Sequence, residues 1–254
     1  NTAQVLHNQL TGPTGIELLL IADGNRTILA QSVSVQDIDS YAARDQMRPK
    51  RDARVGMLPP KLAQIIINLS KPSNQSTILD PFCGTGVILQ EAFRIGYNVC
   101  GTDIDDRMIE YSEANLTWFS NGVRGPWKIA VGDATTYTWK ALGSFDTIAA
   151  ETYLGRPFAS TPDRPTLDKV IQDVDIIHKK FFINVARQTN TGFRMCVAVP
   201  AWKTKNGFLH LPVLDSLEKL GYTRQSFVHA DNQELIYHRP DQVVGRELVV
   251  IVRK

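Results

Sequence analysis

The residues best suited to chemistry stand where a short apolar run, Ile78-Leu79-Asp80-Pro81-Phe82-Cys83-Gly84-Thr85-Gly86, leads into a helical pattern. Glycines at 84 and 86, having no Cβ, let the backbone bend sharply and press against a ligand with its N–H groups turned outward. Such a turn cradles a nucleotide-type cofactor. Asp103 closes the next apolar run, Tyr97-Asn98-Val99-Cys100-Gly101-Thr102, where a βαβ unit places a carboxylate for ribose hydroxyls. Asp133, in Val131-Gly132-Asp133-Ala134, follows a third apolar run. Each Asp taken alone also suits a helix cap or a turn. Three at successive strand ends point to a ligand, because open α/β sheets bind outside the carboxyl ends of their strands. A dinucleotide fingerprint needs a third glycine where this chain has Leu89, which argues against a nicotinamide cofactor.

The elements that must position these groups follow from periodicity. From Thr77 onward the pattern predicts strands at 77–80, 97–102, 128–132, 145–150 and 193–200, with helices at 86–95, 105–120, 166–189 and 212–220. Strands at 222–229 and 246–253 end the chain without an intervening helix, which predicts an antiparallel pair. Buried strands alternating with amphipathic helices make a mostly parallel sheet covered on both faces. Upstream, Pro59 and Pro60 open a helix over 61–69, with proline in its favoured first turn. Strands at 15–22 and 26–35, joined by Asp23-Gly24-Asn25, form a hairpin, and a basic loop follows it.

The Asp-Pro-aromatic-Cys-Gly-x-Gly turn resembles the first motif of class I S-adenosylmethionine (SAM) methyltransferases, in particular those that methylate amino groups of nucleic acids. The resemblance widens over Tyr41-Ala42-Ala43-Arg44-Asp45-Gln46-Met47-Arg48-Pro49, Gly56-Met57-Leu58-Pro59-Pro60-Lys61-Leu62-Ala63, Asn68-Leu69 and the tail Tyr237 to Glu247. These stretches are similar to the THUMP-associated RNA methyltransferases, which include tRNA guanine-N2 methyltransferases. The resemblance implies an α/β, Rossmann-like sheet of about seven strands with the last antiparallel. It assigns 41–254 to the methyltransferase domain and leaves 1–40 as a short N-terminal β extension or connector. It also implies SAM as cofactor, held by Asp80, Pro81, Phe82, Cys83, Gly84, Gly86, Asp103, Ile104, Asp133 and Ala134. In that scheme Asp80 orients the methionine ammonium, Asp103 takes the ribose hydroxyls, Ile104 covers one adenine face and Asp133 accepts from the adenine amino group.

In amino-methyltransferases the fourth strand ends in Asp or Asn, two prolines and an aromatic. Here the strand runs into Glu151-Thr152-Tyr153-Leu154-Gly155. An exocyclic amine has its lone pair delocalised into the ring, so a carboxylate that accepts its N–H, with an aromatic stacked on the base, prepares the nitrogen for in-line attack. Glu151 is the candidate acceptor and Tyr153 the candidate aromatic, although neither register fits the family's motif fully. The implied activity is methyl transfer from SAM to an exocyclic amine of a tRNA or rRNA base. A SAM methyltransferase for a protein side chain or small molecule, and a non-catalytic RNA-binding module of the same fold, are the alternatives. Candidate RNA contacts are Arg48, Arg51, Arg156, Trp202 and Lys203, with Trp202 stacking on a base and the cations on phosphates. The expected partner is RNA; no THUMP domain is recognisable here, and the start at Asn1 without methionine reads either as processing or as the loss of an upstream RNA-binding domain. Arg239 and Arg246 are expected to stabilise the terminal hairpin.

Composition sets the outer bounds. The chain has 254 residues, 43% hydrophobic and 21% charged, with no apolar run near the roughly 20 residues of a membrane span. Three dispersed cysteines argue against a disulfide framework and for a reducing cytoplasm, and five scattered histidines lack metal-ligand spacing. Net charge is only +2, but six basic residues stand against two acidic ones between Arg44 and Lys61, which is either a solvated face or a phosphate-facing patch.

Overall fold

A computed structural model describes residues 2–52, 57–122, 125–158 and 160–254, so Arg54 and Gly56 of the basic stretch lie outside the described residues. Two compact units divide the chain, Asn1–Met47 and Arg48–Lys254. The first holds helix α1 (Thr2–His7), strands β1 (Leu18–Asp23) and β2 (Arg26–Gln31), and helix α2 (Ile38–Gln46). β1 and β2 pair antiparallel from Leu18↔Gln31 to Asp23↔Arg26, and Gly24, at φ 56°, supplies the positive angle of the two-residue turn. The hairpin is shorter than expected. The stretch read as a basic loop begins as α2, capped by Asp37, whose carboxylate accepts from the Ser40 N–H at 2.9 Å.

The second unit follows the chain order α3 (Pro60–Ser70), β3 (Thr77–Asp80), α4 (Val87–Arg94), β4 (Asn98–Asp103), α5 (Asp106–Phe119), β5 (Lys128–Val131), β6 (Thr147–Glu151), α6 (Arg164–Gln188), β7 (Arg194–Thr204), β8 (Gly207–Leu209), β9 (Tyr222–Arg224), β10 (Ile236–Tyr237) and β11 (Val244–Arg253). The sheet path is β10-β11-β7-β6-β3-β4-β5, with β8 against β7 and β9 against β11. β7, β6, β3, β4 and β5 are parallel, and β11 inserts antiparallel to β7. The strand expected at 222–229 is shortened to β9, and a separate short strand, β10, pairs with the opposite end of β11. The helix expected at 212–220 is instead a 3-10 turn over Pro212–Ser216.

Period-two side chains give the sheet two cores. Leu79, Ile148, Ala150, Met195, Val197, Val199, Val249 and Ile251 face one apolar cluster with Phe181, Phe182 and Val185 of α6. Ile78, Ala149, Cys196, Ala198, Leu248 and Val250 face the other, with Leu62, Ile66, Ile67, Ile88 and Leu116 from α3, α4 and α5. Strand order reverses at β3, whose neighbours β4 and β6 continue in opposite directions, so the crevice for a ligand opens beyond the carboxyl ends of these three strands. Among the described residues, no helix is long and apolar enough to cross a membrane.

Candidate functional site

The turn after β3 is built by backbone bonds and two helix side chains. Buried Asp80 accepts from the Phe82 N–H at 3.1 Å, the Cys83 N–H donates to the Thr102 carbonyl at 2.9 Å, and the Gly86 N–H donates to Cys83 at 2.7 Å. From α5, Ser112 Oγ donates to the Gly84 carbonyl at 2.8 Å and Asn115 Nδ2 to the Thr85 carbonyl at 2.9 Å. The same Asn115 amide grips Lys50, donating to its carbonyl and accepting from its N–H, each at 2.9 Å. Gly86 has φ 81° and a Cβ there would stand 2.8 Å from Ser112 Oγ, so only glycine fits. Gly84 has φ 50°, and a Cβ on it would meet nothing nearer than the Phe82 carbonyl at 3.9 Å. It faces open cleft.

Asp103, at the tip of β4, accepts from the Gly84 N–H at 2.9 Å and the Asp105 N–H at 3.0 Å. One carboxylate thus ties the glycine turn to the neighbouring strand and retains lone pairs for a ligand. Burial raises the Asp103 carboxyl above its usual range, opposed by those backbone donors. Asp80 is raised further by desolvation. Ile104 beside Asp103 is 72% exposed, and Asp133, after β5, accepts from the Thr135 N–H at 2.8 Å.

These groups line a cleft of about 900 Å³. Asp80, Pro81, Phe82, Cys83, Gly84, Asp103, Ile104, Asp133 and Ala134 all stand on its wall, while Gly86 sits behind it, against α5. Across the cleft are Glu151, Thr152, Tyr153, Leu154, Gly155 and Arg156. Met108, Lys180, Gln242 and Arg246, which the sequence reading did not place in the site, all stand on the wall. Met108 and Lys180 come from helices and Arg246 from a strand whose register decides where it faces, and Gln242 from the loop before β11.

Arg246 is the most consequential of these. It lies on β11, four per cent exposed at its side chain, and its guanidinium pairs with the Glu151 carboxylate while reaching Gln242 Oε1 at 3.3 Å. Arg246 keeps the expected place in the terminal hairpin, opposite Tyr237 and bonded to Gln242 of its turn, and in addition reaches past β7 to Glu151 in the cleft. Burial pushes the Glu151 carboxyl up and Arg246 pulls it back.

The Thr152 hydroxyl lies 2.6 Å from His178 Nε2, and His178 Nδ1 lies 2.8 Å from the Val174 carbonyl. A carbonyl can only accept, so Nδ1 carries the proton and Nε2 accepts from Thr152. The Thr152 N–H donates to the Ala198 carbonyl at 3.0 Å. Thr152 is thereby pinned by both main chain and side chain, fixing Glu151 on one side and Tyr153, 44% exposed, on the other. His178 is fully buried, and desolvation pulls its pKa down to about 4.

The expected RNA contacts separate. Arg156 lines the cleft with its guanidinium 5.3 Å from the Phe158 ring centroid. Arg51 is exposed, its Nε 3.4 Å from Met57 Sδ. Lys203 is exposed on β7 opposite Phe208, away from the cleft wall. Two expectations are overturned. Trp202 is 0% exposed within the α6-side core, so its ring cannot stack on a base, and Arg48, 3% exposed, does not present its guanidinium at the surface. β7 runs on past Pro200 to Thr204, carrying Trp202 inward instead of into a rim loop. Cys83, Cys100 and Cys196 are buried free thiols. Among the described residues, no group of three or more His, Cys, Asp or Glu is placed to hold a metal.

A stretch of 105 residues is 42% identical to a tRNA (guanine(10)-N2)-dimethyltransferase of Methanothermobacter thermautotrophicus, covering 41% of this chain and 30% of that protein. A tRNA (guanine(10)-N2)-dimethyltransferase of Pyrococcus abyssi is 37% identical over 113 residues, 44% of this chain and 33% of its own. The match thus spans about a third of the length of each relative. Among solved structures, TrmN from Thermus thermophilus superimposes with a TM-score of 0.55 at 17% identity, over 99% of this chain and 65% of that one. Geranyl diphosphate methyltransferase in complex with SAM gives 0.52 at 12% identity, over 78% of this chain and 86% of that one. At these identities the two structures share the fold. Residues 48–204 match the RMKL-like methyltransferase domain, and with more than half of its residues inside that match the chain belongs to this family.

Proposed function

We propose that this chain uses SAM to methylate an exocyclic amine of an RNA base, guanine N2 in a tRNA being the form the curated relatives favour. The observation that carries the reading is the meeting of Asp80, Asp103, Asp133 and Glu151 on one cleft at the strand ends. SAM fits this donor set: Gly84 leaves open space where any side chain would intrude, and Asp103 holds ribose-binding lone pairs beside it. When bound, SAM supplies an electrophilic methyl on sulfur. Asp103 would take the ribose hydroxyls, Asp133 the adenine amino group, and Asp80 the methionine ammonium. Glu151, whose carboxyl burial pushes up and Arg246 pulls back, accepts an N–H of the base amine, and Tyr153 stacks on the ring. The pinned Thr152 holds that pair in register, and such positioning supplies much of the rate.

The test is twofold. Calorimetry with SAM should show one site. Incubation with methyl-labelled SAM and total RNA from cells lacking the gene, followed by nucleoside analysis, should show label in an N-methylated base. Label found only in protein, or no SAM binding, would overturn the reading.

A further inference from the structure

Beside the cleft lies a second hollow of about 440 Å³, walled by Tyr153 and Arg156 of the loop after β6 and by Lys169, Asp173 and Ile177 of α6. Tyr153, Arg156 and Ile177 line both cavities, so the two share a wall at the candidate acceptor. Lys169, Asp173, Ile177 and Lys180 recur at helical three- and four-residue steps, one stripe that leads from the hollow to the cleft, where Lys180 stands. Along this path three cations face one carboxylate.

The loop between the cavities is held firmly. Thr152 is bonded to Ala198 and His178, and Gly155, at φ 86°, lies so close to α6 that a Cβ would stand 3.2 Å from Val174 Cγ2. An exposed tyrosine ring on such a support gives stacking surface with little left to order. Stacking requires a base that is not already paired within a helix, which favours a single strand.

We propose that the hollow is a subsite for the nucleotide adjoining the methylated one in a single-stranded stretch of RNA. Tyr153 separates the two positions, Arg156, Lys169 and Lys180 face the backbone phosphates, and Asp173 accepts a base or sugar proton. The inference rests on the RNA reading of the cleft and extends it to α6.

Fluorescence anisotropy on the full chain, with fluorescein-labelled hexauridylate as probe, tests it. Lys169→Ala and Lys180→Ala should each flatten the slope of log affinity against log salt by about 0.7, the single-strand value for one lost phosphate contact. Tyr153→Ala should weaken binding roughly 5- to 100-fold while leaving that slope unchanged. An RNA duplex of similar length should bind more weakly and ignore Tyr153→Ala. Lysine variants with wild-type slopes, or a duplex bound as tightly as the single strand, would overturn the subsite. No methyl transfer enters this assay, and SAM calorimetry on the same proteins separates the two claims. SAM binding with variant-insensitive RNA binding sinks the subsite alone; failed SAM binding with the expected RNA losses sinks only the cofactor reading.

Discussion

Asp103 and Glu151 occupy equivalent places at the ends of β4 and β6, the parallel strands on either side of β3, yet their surroundings give them different work. Asp103 is satisfied by backbone donors alone, so Asp103→Ala should weaken SAM binding by about 1.5–3 kcal/mol through loss of charge-assisted hydrogen bonds, as calorimetry would show. Glu151 is satisfied by a cation. Glu151→Gln should leave SAM affinity intact and cut turnover; equal turnover would remove this residue from the reaction. Burial already raises the Glu151 carboxyl and Arg246 opposes that rise. Arg246→Met should therefore move the acid limb of the rate profile to higher pH, so that activity at neutral pH falls while activity at alkaline pH recovers. The carboxylates were legible because strand ends can be read from apolar runs that stop at Asp or Glu. Arg246 was not, because it stands 95 residues from Glu151 and its facing depends on the register of an antiparallel strand.

At the level of elements, the regular βα alternation was legible from periodicity, and the departures have local causes. Pro200 seemed to end its strand, but β6 last pairs at Glu151↔Ala198 and the loop takes over there. Between that point and Trp202, where β8 takes up the same edge, β7 has no ladder partner on its β6 side, so the missing N–H of Pro200 does no harm and the strand continues to Thr204. Pro212 begins a turn too short and too irregular for an α-helix. The glycine turn shows the opposite relation, where local sequence and tertiary packing agree. Gly86→Ala should destabilise the fold by roughly 1–3 kcal/mol, since it adds both a strained positive φ and a clash with Ser112; urea denaturation would measure it. Thr152→Val removes the hydroxyl from His178 and should lower turnover more than SAM affinity, because the cofactor side of the cleft is built from other strands.

Across the whole molecule, buried titrating groups pull stability in opposite directions. His178 is held near a pKa of about 4 against an ordinary 6.5. Its contribution is complete above about pH 6.5 and is lost as pH falls toward 4, reaching roughly 3 kcal/mol. Asp80, Asp103 and Glu151 have raised folded values, so the native state takes up their protons first and gains in acid. The stability gap between the wild type and His178→Gln should therefore narrow from pH 7.5 to 4.5, whatever the carboxylates do in both proteins. One asparagine extends coupling of this kind beyond titration. Because the Asn115 amide holds the glycine bend and the Lys50 backbone at once, whatever steadies the segment around Lys50 also pre-forms the bend. By reciprocity an RNA gripping that segment and a nucleoside seated at the bend must raise each other's affinity by the same factor. Removing the amide with Asn115→Ala should return that factor to unity.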